Sequence, residues 1–267
     1  MGNKSEYLAV LNSLLETQKF EEIKHYLAAH SNLPGPRGNL ELAEAFYCSC
    51  TGLTLTEKLW HFLLELSENA APTNDPQEIL PFCAVEGLAN LFFDVDDAGK
   101  SLVLKKLRVA MNDRRWRMRE AAANGCQIIA EKDANVISEW FLHIYPSTNL
   151  FEKRGIIAAL AHPPILNNYQ TARFSLEICE RILDDVLTLN PAQLKEESFV
   201  VLKKGLEYAP SVFVSKLPAE GFQMLKQYVQ LDRKELNAII QANLKKSRLQ
   251  KYFKKEIEEV EAILNHS

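Results

Sequence analysis

Apolar residues recur at spacings of three and four along almost the whole chain. Leu8, Leu11, Leu14 and Leu15 form one stripe, and Leu59, Trp60, Leu63, Leu64 and Leu66 a second. Val136, Ile137, Trp140, Phe141 and Ile144 form a third, and Leu176, Cys179, Ile182, Leu183 and Val186 a fourth. At 3.6 residues per turn each set falls on one face of a helix, which must then be covered. No run alternates strictly between apolar and polar residues within hairpin turn signals, so no strand is predicted. Breaks between stripes carry helix punctuation. "NDPQEIL" offers Asp75 as a cap, Pro76 at the first helical position and Glu78 at the third, while Asn39 follows the rigid "LPGPRG" and opens another helix. "HPPIL", "LNPAQL" and "KLPAEGF" mark three further boundaries. Counted this way, the chain holds about fourteen helices of roughly 10 to 25 residues. Short helices in such number predict stacked pairs, an all-α solenoid of helical hairpins spanning residues 1–267 as one domain.

Two weak internal likenesses agree with a repeat. "DRRWRMREAAANGC" (113–126) overlays "DRKELNAIIQANLK" (232–245), matching Asp113 with Asp232, Arg114 with Arg233, Ala123 with Ala242 and Asn124 with Asn243. Arg119 and Arg154 each open a helix rich in small apolar residues, about one hairpin length apart.

Composition narrows the function classes. A formal net charge of −4 excludes a polycation that binds phosphate polymers indiscriminately, so any nucleic-acid surface has to be local. Two local candidates exist. Lys105, Lys106, Arg108, Arg114, Arg115, Arg117 and Arg119 form one basic run, and Lys245, Lys246, Arg248, Lys251, Lys254 and Lys255 another; Glu177, Glu180, Asp184, Asp185, Glu196 and Glu197 concentrate elsewhere. The N-terminal stretch lacks the continuous apolar core of a secretory signal, and "GIIAALAHPPIL" is too short for a bilayer and broken by Pro163 and Pro164. Cys48, Cys50, Cys83, Cys126 and Cys179 show no metal-ligand spacing and read as buried thiols of a reducing compartment, so the cytoplasm is expected. Cys48 and Cys50, two apart on a helix, face different ways. Neither a nucleotide-binding glycine loop nor a zinc or nucleophile motif occurs, and the histidines are scattered; no cofactor and no metal site is indicated.

The segment 113–129 carries most of the functional reading. Advanced at 100° per residue from Asp113, Met118, Ala121, Ala122, Gly125 and Ile129 share one face, whose small residues permit a close helix crossing. On the same wheel Trp116 and Arg119 point away, and Arg115 and Arg117 flank the stripe. Arginines beside an exposed tryptophan suit phosphate contact with stacking on a base. Arg114, Arg115, Trp116 and Arg117, with Lys245, Lys246 and Arg248, are therefore the candidate contacts for DNA, RNA or an acidic protein.

Asp113, then Met118 and Arg119, then a run of alanines resembles the second helix of a HEAT repeat. That resemblance implies that Asp113 caps its helix and that arginines such as Arg119 and Arg154 pair with an aspartate of a neighbouring repeat, an internal ladder without a ligand. The spacing of Asp113, Trp116 and Arg119 also resembles the HEAT-like alkylpurine DNA glycosylases of the DNA alkylation repair family. "IIQANLKKSRLQK" is similar to the closing helix of that superfamily, and "LPGPRGNLELA" and "FVVLKKGLEYAPSVFV" look like a bacterial branch of it, so the likeness covers most of the chain. Its catalytic stretch resembles "FFDVDD", with Phe92 and Phe93 in place of paired tryptophans and one residue fewer between Asp94 and Asp96. The resemblance implies a carboxylate, Asp94 or Asp96, that steadies positive charge on the sugar as a base leaves. Read from the residues alone, the same stretch is an acidic turn between helices. The leading expectation is a non-catalytic binding module; the alternatives are an active alkylpurine DNA glycosylase and a protein–protein interaction scaffold.

Overall fold

The computed structural model describes residues 3–51 and 55–265. Among them every regular element is helical: sixteen α-helices and five short 3-10 turns, with no strand. The chain divides into two compact units, Met1–Ile129 and Ala130–Ser267.

The first unit holds α1 (Lys4–Glu16), α2 (Phe20–Ala29), α3 (Leu40–Cys50), α4 (Glu57–Ser67), α5 (Ile79–Asn90), α6 (Asp97–Met111) and most of α7 (Trp116–Lys132). Alternate helices stack: α1 lies on α3 and α3 on α5, while α4 and α6 also pack on α5. The expected stripes do the covering, with Leu11 and Leu15 of α1 and Leu59, Leu63 and Leu66 of α4 all buried. Surrounded in this way, α5 buries all 12 of its residues, as a helix that is apolar nearly all round must.

The second unit contains α8 (Ala134–Ile144), α9 (Leu150–Leu160), α10 (Tyr169–Leu187), α11 (Glu197–Leu206), α12 (Ala209–Lys216), α13 (Pro218–Gln230), α14 (Lys234–Leu244), α15 (Ser247–Gln250) and α16 (Lys254–Leu264). Here α9 stacks on α11, α13 on α16, and α12 touches α10, α13, α14 and α15. Sixteen helices exceed the expected fourteen because α12 and α15 have only 8 and 4 residues, too few to leave a periodic stripe.

The punctuation acts as its chemistry dictates. Asn39 accepts a hydrogen bond from the Leu42 amide and opens α3, and Pro218 opens α13. Asp75 accepts from the Gln77 amide but opens a 3-10 turn, Pro76–Glu78, that leads into α5.

Three asparagines join each helix to the one two before it. Asn90 Nδ2 of α5 donates to the Tyr47 carbonyl of α3 at 2.8 Å, and Asn124 Nδ2 of α7 donates to Glu86 Oε1 of α5 at 2.8 Å. In the second unit Asn243 of α14 accepts from the Ser211 amide of α12 at 2.8 Å and donates to the Leu206 carbonyl at 2.7 Å. Asn124 and Asn243 are the pair aligned by the overlay of 113–126 on 232–245. Each satisfies buried polar groups that the stacked helices would otherwise strand.

Candidate functional site

The arginines at the start of α7 face inward. The wheel placed Arg115, Arg117 and Arg119 off the packed face, yet all three are buried, and only Arg114 and Trp116 of this segment are exposed. The helix begins at Trp116, so the wheel does not describe Arg115, which sits in the preceding turn. Asp113 Oδ1 accepts from the Arg115 amide at 2.7 Å, and its carboxylate holds the Arg115 guanidinium at 3.0 and 2.7 Å. Burial raises the Asp113 carboxyl, but the hydrogen bonds and charge of Arg115 outweigh it and hold the group below its ordinary range. The remaining Arg115 nitrogen donates to the Asn69 and Ala71 carbonyls at 3.0 and 3.2 Å, fastening the segment after α4.

Arg117 reaches further. Its Nη1 pairs with Glu78 Oε2 at 2.8 Å, and its Nη2 donates to the Gly35 carbonyl at 2.7 Å and to Asn74 Oδ1 at 3.1 Å. Glu78 is fully buried and also accepts from the Asn74 amide at 2.7 Å. Arg119 bends back to the Asp113 and Arg114 carbonyls at 2.7 and 3.3 Å, closing the turn before its own helix. Arg154, half-buried on α9, packs its side chain toward Gly205 of α11. Arg115 and Arg117 are thus withdrawn from the expected ligand grip: a guanidinium with most of its donors on carboxylates and on carbonyls of other segments is a clamp between segments.

Asp94 and Asp96 lie in a different setting. Asp94 ends a 3-10 turn, Phe92–Asp94, and is exposed; Asp96 is the N-cap of α6 and accepts from the Gly99 amide at 2.8 Å. Both border an open cleft of about 470 Å³ with Trp60. Asp96 is exposed but occupied by a capping role, and Asp94 shares the solvent-facing side of the cleft with Glu57.

The C-terminal candidates come together around an aromatic ring. Tyr208, exposed at the start of α12, has Arg248 Cζ at 4.5 Å and Lys246 Nζ at 5.9 Å from its ring centre. Tyr252, 77% exposed, follows directly after α15. Lys245, Lys246, Arg248, Lys251, Lys254 and Lys255 form no side-chain ion pair with the described residues. Lys106, in the other basic run, is held by Glu68 at 2.8 Å.

Sequence reasoning missed two carboxylates and two tyrosines. Glu78 read as a helix-start residue and turned out to be the counter-charge of Arg117. Glu86, inside an apolar run, is buried, and burial pushes it up to about 8 despite the hydrogen bond from Asn124. A charged residue in the middle of "PFCAVEGLAN" was the available signal. Tyr208 lies too far from the basic run in sequence for periodicity to group the two, whereas Tyr252 sits within the run, between Lys251 and Lys254. Compared with protein-family profiles, with curated proteins and with solved structures, the chain matches none.

Proposed function

We propose that the protein is a non-catalytic binding module of HEAT-like helical repeats whose C-terminal surface contacts a nucleic acid. The observation that carries this reading is the Tyr208 ring flanked by Arg248 and Lys246, together with the exposed Tyr252 and cations that form no side-chain ion pair with the described residues. A single strand bound there would lay bases on the tyrosine faces and phosphates on the cations, a combination that tolerates any sequence. The stacking of alternate helices and the asparagine links between them support the repeat reading, and the local placement of the charge fits a chain of net charge −4.

Fluorescence anisotropy of labelled single-stranded and duplex DNA and RNA across a salt series tests it. Replacing Lys246 and Arg248 together by alanine should flatten the slope of log K against log salt by about two and weaken all sequences alike. Tyr252→Ala should weaken single strands by about 1 to 3 kcal/mol and duplexes far less. Wild-type protein that binds no nucleic acid at low salt would sink the reading. Binding that depends on Lys246 and Arg248 but ignores Tyr252 would remove base stacking on Tyr252 from the reading and leave phosphate contact.

A further inference from the structure

The first unit contains a cavity that the nucleic-acid reading does not use. It measures about 220 Å³ and lies where the loop before α3, the start of α5 and one face of α7 meet. Leu40, Ile79, Phe82 and Trp116 supply apolar walls, with Arg37 at the rim and, among the lining residues, Asn124 and Glu120, which has an interaction of its own within the fold. The volume is below the roughly 300 to 1,000 Å³ of drug-sized sites, so it suits a single flat ring system.

Three polar features point to an occupant. Arg37 is exposed and forms no hydrogen bond or ion pair with the described residues. Its backbone is nevertheless held in place, because the loop is fastened on both sides. Gly35 gives its carbonyl to Arg117 and its amide to Asn74, and Asn39 donates to the Tyr7 hydroxyl and the His30 carbonyl, both at 2.9 Å. Second, the buried Arg117 lines the same cavity, and its Nε has no hydrogen-bond partner, nor has Glu78 Oε1. A buried guanidinium with an unspent N–H is rare in a finished core and calls for an acceptor. Third, Trp116, 42% exposed, lines this opening, and its indole N–H has no hydrogen-bond partner among the described residues.

We propose that this cavity is a binding site for a small planar aromatic carboxylate, its ring between Phe82 and Trp116 and its carboxylate on Arg37. A neutral ring would leave Arg37 unpaired at the rim, and a cationic one would be repelled by it. The opposite charge gains a charge-assisted hydrogen bond from a guanidinium whose backbone is already fastened.

The test uses the whole chain labelled with ¹⁵N on its tryptophan indoles, with Trp116→Phe identifying one of the signals. Naphthalene-2-carboxylate should shift the Trp116 signal and leave those of Trp60 and Trp140 in place, with a Kd on the order of 1 mM or below. Naphthalene-2-methanol should bind more weakly, and 2-naphthylmethylammonium more weakly still. Arg37→Gln should weaken the carboxylate about tenfold, leave the alcohol unchanged and leave the melting temperature as in the wild type, since Arg37 holds nothing together. The proposal is overturned if the carboxylate leaves the Trp116 signal unmoved at several times that concentration, if the ammonium binds as well as the carboxylate, or if Arg37→Gln does not discriminate between carboxylate and alcohol.

Discussion

Three arginines within five positions of one another, Arg115, Arg117 and Arg119, have chemical identities that suit a phosphate-binding surface, and each is buried inside the fold. The difference lies in what waits for them. Arg117 meets a carboxylate 39 residues earlier and a carbonyl 82 residues earlier, partners that no local spacing announces. Arg117→Ala would leave Glu78 buried without a counter-charge, a defect that costs about 3 to 5 kcal/mol. Arg114→Ala, on an exposed side chain one turn away, should stay within about 0.5 kcal/mol of the wild type. Urea unfolding of the two variants checks the contrast; equal stabilities would mean that the clamp carries no weight. Legibility at this scale follows the reach of the side chain. Asn39, whose partner is three residues on, was readable as a cap, whereas the roles of Arg115 and Arg117 were not.

Helices were the most legible feature, because the 3.6-residue period is set by backbone geometry and survives in any helix that covers a core. α1, α4 and α8 bury the centres of the stripes that their sequences display, Leu11 and Leu15, Leu59, Leu63 and Leu66, and Ile137, Phe141 and Ile144, while Leu8, Leu14, Trp60, Leu64, Val136 and Trp140 stay half-buried. The close crossing anticipated from the small residues of α7 is present: a Cβ on Gly125 would stand 2.5 Å from Leu107 Cδ2 of α6 and 3.2 Å from Ala89 Cβ of α5. Gly125→Leu should therefore lower stability by at least the ~1 to 3 kcal/mol typical of overpacking, read as a fall in melting temperature. An unchanged transition would show that α6 shifts freely. The 3-10 turn at Pro76–Glu78 and the short α12 and α15 escaped the pattern, since fewer than two or three turns leave no period to detect.

At the scale of the molecule, the division into two compact units was not legible, because the hydrophobic period runs on without a composition break around Ile129. The candidate contacts divide likewise, with Trp116 in the first unit and Tyr208, Lys246 and Arg248 in the second. Global stability should carry the signature of Glu86. The unfolded chain ionises this group near the ordinary 4.5, while the folded chain keeps its proton up to about 8. The folded state therefore binds more protons within that window, so the stabilising share of Glu86 is complete below pH 4.5 and lost as pH rises through 8. Glu86→Gln, which can still accept from Asn124, should gain on the wild type between pH 5 and pH 8 in denaturant midpoint; a constant difference would place the carboxyl outside the apolar core. The Arg117 clamp has a consequence for the order of synthesis. Residue 35 leaves the ribosome long before residue 117, so throughout that interval the proline-rich loop lacks its Arg117 bond and Glu78 has no cation to meet. The nascent N-terminal helices must wait, exposed to chaperones and proteases, until the first turn of α7 emerges and locks them from behind.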